Sequence, residues 1–149
     1  MREQYSVWAK KALKQAEKIA KQYSHNYIGT EHLLAGLLAV EEGTAGLMLT
    51  EAGVTGEKLF QLIDELVAPS QATMLEEPQG YTPRTKQVLE RARAEAERLG
   101  DKETGTEHIL IAMLKEYDCV GTRLLHTMGV NIQQLYTGIM KAMGKENAI

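Results

Sequence analysis

Six residues, Gly29-Thr30-Glu31-His32-Leu33-Leu34, return 76 positions later as Gly105-Thr106-Glu107-His108-Ile109-Leu110. The same offset aligns Tyr5 with Tyr81, Lys10 with Lys86, Leu13 with Leu89, Leu49 with Leu125, Gly53-Val54 with Gly129-Val130 and Ile63 with Ile139. No gap is needed, and 16 of the 63 positions that carry 5–67 onto 81–143 are identical. An internal duplication limits the fold more than any single motif can. Each copy must be one supersecondary unit, and the two must be built alike.

Both copies have the spacing of helices. In the first, Val7, Leu13, Ala16, Ile19, Ala20 and Tyr23 fall near a 3.6-residue period, with lysines and a glutamate between them. Ser6 is a suitable N-cap for this helix. Thr30 is read as the cap of a second helix whose stripe is Leu33, Leu34, Leu37 and Leu38. Thr44 starts a short third helix, which Gly53 ends by taking the left-handed conformation. Thr55 opens a fourth through Leu59, Leu62, Ile63 and Leu66. The second copy repeats the plan from Thr82-Pro83, a cap followed by a proline suited to the first helical turn. Gly100 and Gly129 are stops, Thr106 is read as a cap, and Asn131 with Gln134 has the form of a capping box.

The expected fold is therefore all-α: two tandem four-helix repeats, eight helices, related by a pseudo-twofold axis. Within a single domain spanning 1–149, repeat one covers 5–67 and repeat two 81–143. Pro69, Glu76, Glu77, Pro78 and Gly80 mark 68–80 as a linker. Residues 144–149 read as a frayed tail or the start of a linker.

Composition excludes several classes of function. A net charge of −3 gives no electrostatic footprint for nucleic acid or a membrane surface. No apolar run is long enough to span a bilayer. The single cysteine, Cys119, excludes an internal disulfide and fits a reducing cytoplasm as a packed side chain. There is no phosphate-binding loop for ATP, and Cys119 has no placed base, so no catalytic residue is assigned. A metal reading of Glu31-His32 and Glu107-His108 is weak, because adjacent helical residues point about 100° apart. His32 and His108 are expected to be hydrogen-bonded at their helix starts and partly buried, and His25 and His126 to lie at the surface.

The paired Gly-Thr-Glu-His-Leu/Ile-Leu strings, each preceded by a helix opening Tyr-Ser or Tyr-Thr-Pro-Arg, resemble the N-terminal domain of Clp-type AAA+ unfoldases, and within them the ClpC branch of Gram-positive bacteria. The likeness runs from Tyr5 to Met143. It implies a double four-helix repeat above the ATPase rings of a hexameric, cytoplasmic parent that serves the Clp peptidase in stress-response proteolysis. Such a domain is not itself an enzyme. It receives adaptor proteins and tagged substrates, while ATP and magnesium belong to downstream modules outside this chain. The resemblance also implies a pocket in each repeat for phosphorylated arginine, a degradation tag.

On the residues alone, Glu31 and Glu107 have two readings. A carboxylate in the first turn is favoured by the helix dipole and needs no ligand. It can equally accept a guanidinium in bidentate fashion. The resemblance assigns both glutamates to the guanidinium. Ser6 and Thr82 open the first helix of each copy, where a hydroxyl and free N–H groups suit phosphate. Lys10 and Lys86 lie one turn further on. Each repeat is thus expected to hold its own pocket, glutamate for the guanidinium, hydroxyl and lysine for the phosphate. Trp8 is either core or an exposed adaptor contact. Two other readings remain open: a related Clp disaggregase N domain that binds apolar segments, and a free-standing repeat protein that regulates a partner.

Overall fold

The structure is a computed structural model that describes residues 4–67 and 80–149. The expected linker, 68–80, falls outside the described residues except for Gly80. Repeat one contributes α1 (Val7–Gln22), α2 (Thr30–Ala39), α3 (Thr44–Glu51) and α4 (Gly56–Leu66). Repeat two contributes α5 (Pro83–Arg98), α6 (Thr106–Lys115), α7 (Val120–Thr127) and α8 (Ile132–Ala142), and a 3-10 turn, Glu146–Ala148, follows. Among the described residues there is no strand, only isolated bridges joining Tyr5 to Thr104 and Ile28 to Tyr81.

Local chemistry sets most of the helix ends. The Ser6 hydroxyl accepts from Ala9 N–H at 3.2 Å, Thr55 from Lys58 at 3.2 Å, Thr82 from Thr85 at 3.0 Å, and the Asn131 side chain from Gln134 at 3.0 Å. Each satisfies one of the four unpaired N–H groups of a first turn. Gly53 and Gly129 end α3 and α7 with φ of +91° and +81°. After α5 the left-handed residue is Gly100, and at the matching place after α1 it is Ser24, with φ of 58°. A side chain in that conformation costs about 1–2 kcal/mol.

The centre of the molecule is α2 with α6. A one-sided leucine stripe was expected on α2, yet every residue from Thr30 to Leu37 is buried and Leu38 is only half-buried. A helix apolar all round is one covered on all sides. On one side lies α1, whose buried residues, apart from Ile19, are all small: Ala9, Ala12, Ala16 and Ala20. This lets the backbones close to a distance no side chain at Gly36 would permit: a Cβ there would stand 2.4 Å from the Ala12 carbonyl oxygen. The other covers come from α3 and α4 of the same repeat and from α5, α6 and α7 of the second, and most buried residues of both copies form one continuous apolar core. Neither repeat encloses that core alone.

Two expectations are corrected. Thr30 and Thr106 do not cap their own helices. Gly29 and Gly105 hold the N-cap positions, and the threonines are the first helical residues. Their hydroxyls cap the third helix of the opposite repeat instead. Thr30 Oγ1 accepts from Gly121 N–H of α7 at 2.9 Å, and Thr106 Oγ1 from Ala45 N–H of α3 at 3.3 Å. Residues 144–149 are not frayed either. Lys145 Nζ donates to the Leu99 carbonyl at 2.7 Å, and Arg98 Nη1 to that of Ala148 at 3.0 Å, tying the segment to the end of α5.

Candidate functional site

The segments entering the helices are paired across the repeats. Thr82 N–H donates to Ile28 O at 3.1 Å and Ile28 N–H to Gly80 O at 2.9 Å. The mirror pair is Ser6 N–H to Thr104 O at 2.9 Å and Thr104 N–H to Gln4 O at 2.8 Å. The start of α5 therefore lies beside the start of α2, and the start of α1 beside that of α6. This corrects the expectation of a pocket within each repeat. A helix of 16 residues is about 24 Å long, and α2 begins near the far end of α1. Ser6 cannot meet Glu31. Thr82 is brought to the segment that carries Glu31, and Ser6 to the segment that carries Glu107.

A cleft of about 580 Å³ opens at the first of these junctions. Tyr27, Gly29 and Glu31 line it from the first repeat, and Thr82, Arg84, Asp118 and Arg123 from the second. Lys86, exposed one turn into α5, is not among the lining residues, and Lys10 is likewise exposed on α1. Of the expected residues, the structure thus brings together Glu31 and Thr82. It leaves the lysines outside.

Glu31 is held in place for an acceptor role. It is only 3% exposed, and its Oε2 accepts from the Tyr27 hydroxyl at 3.0 Å. Burial first, and then the neighbouring carboxylate, push the Tyr27 pKa well up, so the phenol keeps its proton and donates. The carboxylate folds back over the helix start: a Cβ on Gly29 would meet Glu31 Oε1 at 2.4 Å. Glu107 repeats this over Gly105, also at 2.4 Å. With φ of −96° and −98° these glycines are not in the left-handed region. They are needed for the room they leave. Glu107 itself is half-buried, and its repeat has exposed Glu103 in place of Tyr27.

The lining from the second repeat carries two arginines together with the Asp118 carboxylate. Arg84 grips Asp118 through Nη1 at 2.6 Å and Nη2 at 3.4 Å, and Nη1 also reaches Glu116 at 3.4 Å. Arg123, exposed on α7, belongs to the same lining. Sequence reasoning missed Tyr27, Arg84 and Arg123. Tyr27 lies four residues before Glu31, a detectable spacing. The arginines become visible only once the second repeat is known to face the first.

The histidines are structural, as expected, although His25 is buried rather than at the surface. His126 is exposed. Gly29 N–H donates to His32 Nδ1 at 2.9 Å, so the proton of the neutral ring sits on Nε2 and is donated to His25 Nδ1 at 2.6 Å. His108 is used in the same way, accepting from Gly105 N–H at 2.8 Å and donating to Asp101 Oδ2 at 2.8 Å. The left-handed turn at Ser24 or Gly100 is what delivers residue 25 or 101 to its histidine. His25, Glu31 and His32 bring their donor atoms within 4.8 Å of one another. They do not suit a metal, because a lone pair on Nε2 is what His32 lacks in this tautomer. Trp8 resolves to the surface, 40% exposed, with Lys11 Nζ 5.5 Å from its ring centroid. Cys119 is packed.

The double helical repeat, with a cleft at the repeat junction lined by Glu31, is an arrangement that comparison with known proteins places. The Clp repeat (R) N-terminal domain family matches residues 4–128 and 80–148, and the chain belongs to that family. It is 35% identical over 136 residues to the ATP-dependent Clp protease ATP-binding subunit ClpC of Staphylococcus epidermidis, which covers 91% of this chain and 16% of the relative. The chain thus spans about one sixth of the length of that relative. Among solved structures, the N-terminal domain of Hsp104 from Candida albicans matches with a TM-score of 0.80 at 19% identity, over 96% of this chain and 93% of that one. The ClpV N-domain solved in complex with a VipB peptide matches with a TM-score of 0.73 at 22% identity, over 95% of this chain and 88% of that one. At these identities the two structures share the fold.

Proposed function

We propose that this chain is the adaptor- and substrate-docking module of an ATP-dependent Clp unfoldase, and that it recognises proteins tagged with phosphorylated arginine. The observation that carries this reading is the pairing of opposite charges in one cleft. The buried Glu31 carboxylate, aimed by Tyr27, lines the same cleft as Thr82, Arg84 and Arg123. Phosphoarginine has the matching form, a guanidinium joined to a phosphate. A carboxylate accepts the guanidinium N–H groups in a fork, and arginine donates to phosphate oxygens in the same manner. The desolvation of Glu31 strengthens that preference, since a buried carboxylate favours a cationic donor over water.

Kinship with a ClpC subunit supports attachment to an ATPase, and with it a hexameric, cytoplasmic parent docked on the Clp peptidase. The ClpV N-domain with its peptide supports the use of this fold for peptide capture. In this reading the chain performs no chemistry itself. A second reading, capture of apolar segments without regard to phosphate, is favoured by exposed Val7 and Leu47, 71% and 51% accessible.

The test is binding of a phosphoarginine peptide and its unmodified twin, by calorimetry, to the parent chain and to Glu31→Gln with Glu107→Gln. The proposal expects binding that needs the phosphate and is lost in the double variant. Equal affinity for both peptides, or an unchanged double variant, contradicts it.

A further inference from the structure

We infer that the two repeat junctions are not equivalent: phosphoarginine is held at the cleft beside Glu31 alone, with Arg123 and Arg84 holding its phosphate. This rests on the function proposed above and assigns the part of the site that the hydroxyl and lysine positions leave open.

The pseudo-twofold relation makes the two junctions comparable residue by residue. It is visible in paired hydrogen bonds, Thr82 to Ile28 against Ser6 to Thr104, and Gly121 to Thr30 against Ala45 to Thr106. Each pair differs by the same 76 positions as the sequence repeat. Carried over by that offset, Arg84 becomes Trp8 and Arg123 becomes Leu47. Both guanidinium groups assigned to the phosphate are thereby replaced by apolar side chains, and both are exposed. Two further exchanges act in the same direction: Tyr27 becomes Glu103 and Thr127 becomes Glu51. At these four positions two positive charges are lost and two negative charges gained. An anion beside Arg84 and Arg123 at the first junction meets neither arginine at the equivalent positions of the second.

The second junction has compensations, and they are weaker. Helix α1 keeps a backbone N–H at Val7 where α5 has Pro83, yet an N–H dipole is a poorer phosphate ligand than a guanidinium fork. Lys11, where α5 has Gln87, places its ammonium over the Trp8 ring. Lys10 and Lys86 occupy the same position in both copies, both exposed, and so do not discriminate. The guanidinium end differs as well. Glu31 is buried and oriented by a phenol, whereas Glu107 is half-buried with a carboxylate in the place of that phenol.

The experiment uses the whole 149-residue chain and a phosphoarginine peptide, titrated by calorimetry and by tryptophan emission in parallel. Trp8 is the only tryptophan, so its emission reports on the second junction alone. The inference expects one site per chain, no change in Trp8 emission at saturation, and a loss of affinity of at least about tenfold in Arg123→Leu. That variant places at an exposed position the residue the first repeat already carries, so folding is retained. Two sites per chain, a Trp8 response that saturates with the heat, or full affinity in Arg123→Leu overturns it while leaving the proposed function standing. Absence of any binding by the parent chain removes both.

Discussion

His32 shows how burial at one residue becomes a property of the whole chain. Burial first, and the nearby His25 second, lower its pKa from the ordinary 6.5 to about 3. The unfolded chain takes up a proton near 6.5, and the folded chain refuses it until about 3. Acid therefore favours the unfolded state. The contribution of the neutral ring is complete above about pH 6.5 and is lost progressively as pH falls towards 3. Between pH 7 and pH 5 the expected loss is about 2 kcal/mol, measurable by urea denaturation at the two pH values. His32→Asn, which still offers an acceptor to Gly29 N–H, should show a much flatter dependence. Equal slopes for the two chains would rule out His32 as the source. The sequence made His32 legible as structural because two histidines stood at matching helix starts. It misplaced His25, since nothing local indicates that the turn at Ser24 folds this ring inward to meet His32. In the second repeat the same position is Asp101, a hydrogen-bond partner of a different kind, so the repeat itself hid the shared role.

At the scale of the element, the informative residues are Thr30 and Thr106. A threonine at a first helical position whose hydroxyl faced solvent could be exchanged for valine at little cost. Here Thr30 caps α7, 91 residues away, and leaves Gly121 N–H buried and unpaired if removed. Thr30→Val is expected to lower stability by about 1–2 kcal/mol. Thr106→Val should cost less, because its bond to Ala45 is 3.3 Å rather than 2.9 Å. Thermal denaturation of the two variants checks both the size and the order. A neutral Thr30→Val would mean that the hydroxyl caps neither helix. Helix positions were legible because their signals are local: Ser6, Thr55, Thr82 and Asn131 all bond three residues onward. Thr30 and Thr106 sent the same signal while acting across the repeat boundary. The residue before each of them is glycine for a reason equally hidden in sequence. The carboxylate of Glu31 or Glu107 fills the space where a Cβ would be.

For the whole molecule, the duplication foretold two like halves, and the structure adds that each is completed by the other. The core is continuous, the third helices are capped from the opposite side, and the segments before α1 and α5 pair with those before α6 and α2. The proposed role of Glu31 was suggested by its repeated place at a helix start. Its partner was not, because the motif spacing runs along the chain while the cleft lies across it. Helix length was the available clue: α1 is too long for Ser6 to return to the start of α2. The central claim is therefore that a ligand at Glu31 touches both repeats at once. Amide chemical-shift mapping of the 15N-labelled chain with a phosphoarginine peptide tests it directly. The account predicts one connected set of shifted amides, residues 29–31 together with 82, 84 and 119–123. Shifts at 29–31 accompanied by 6–10, with 82 and 84 unmoved, would place the ligand within a single repeat and contradict it.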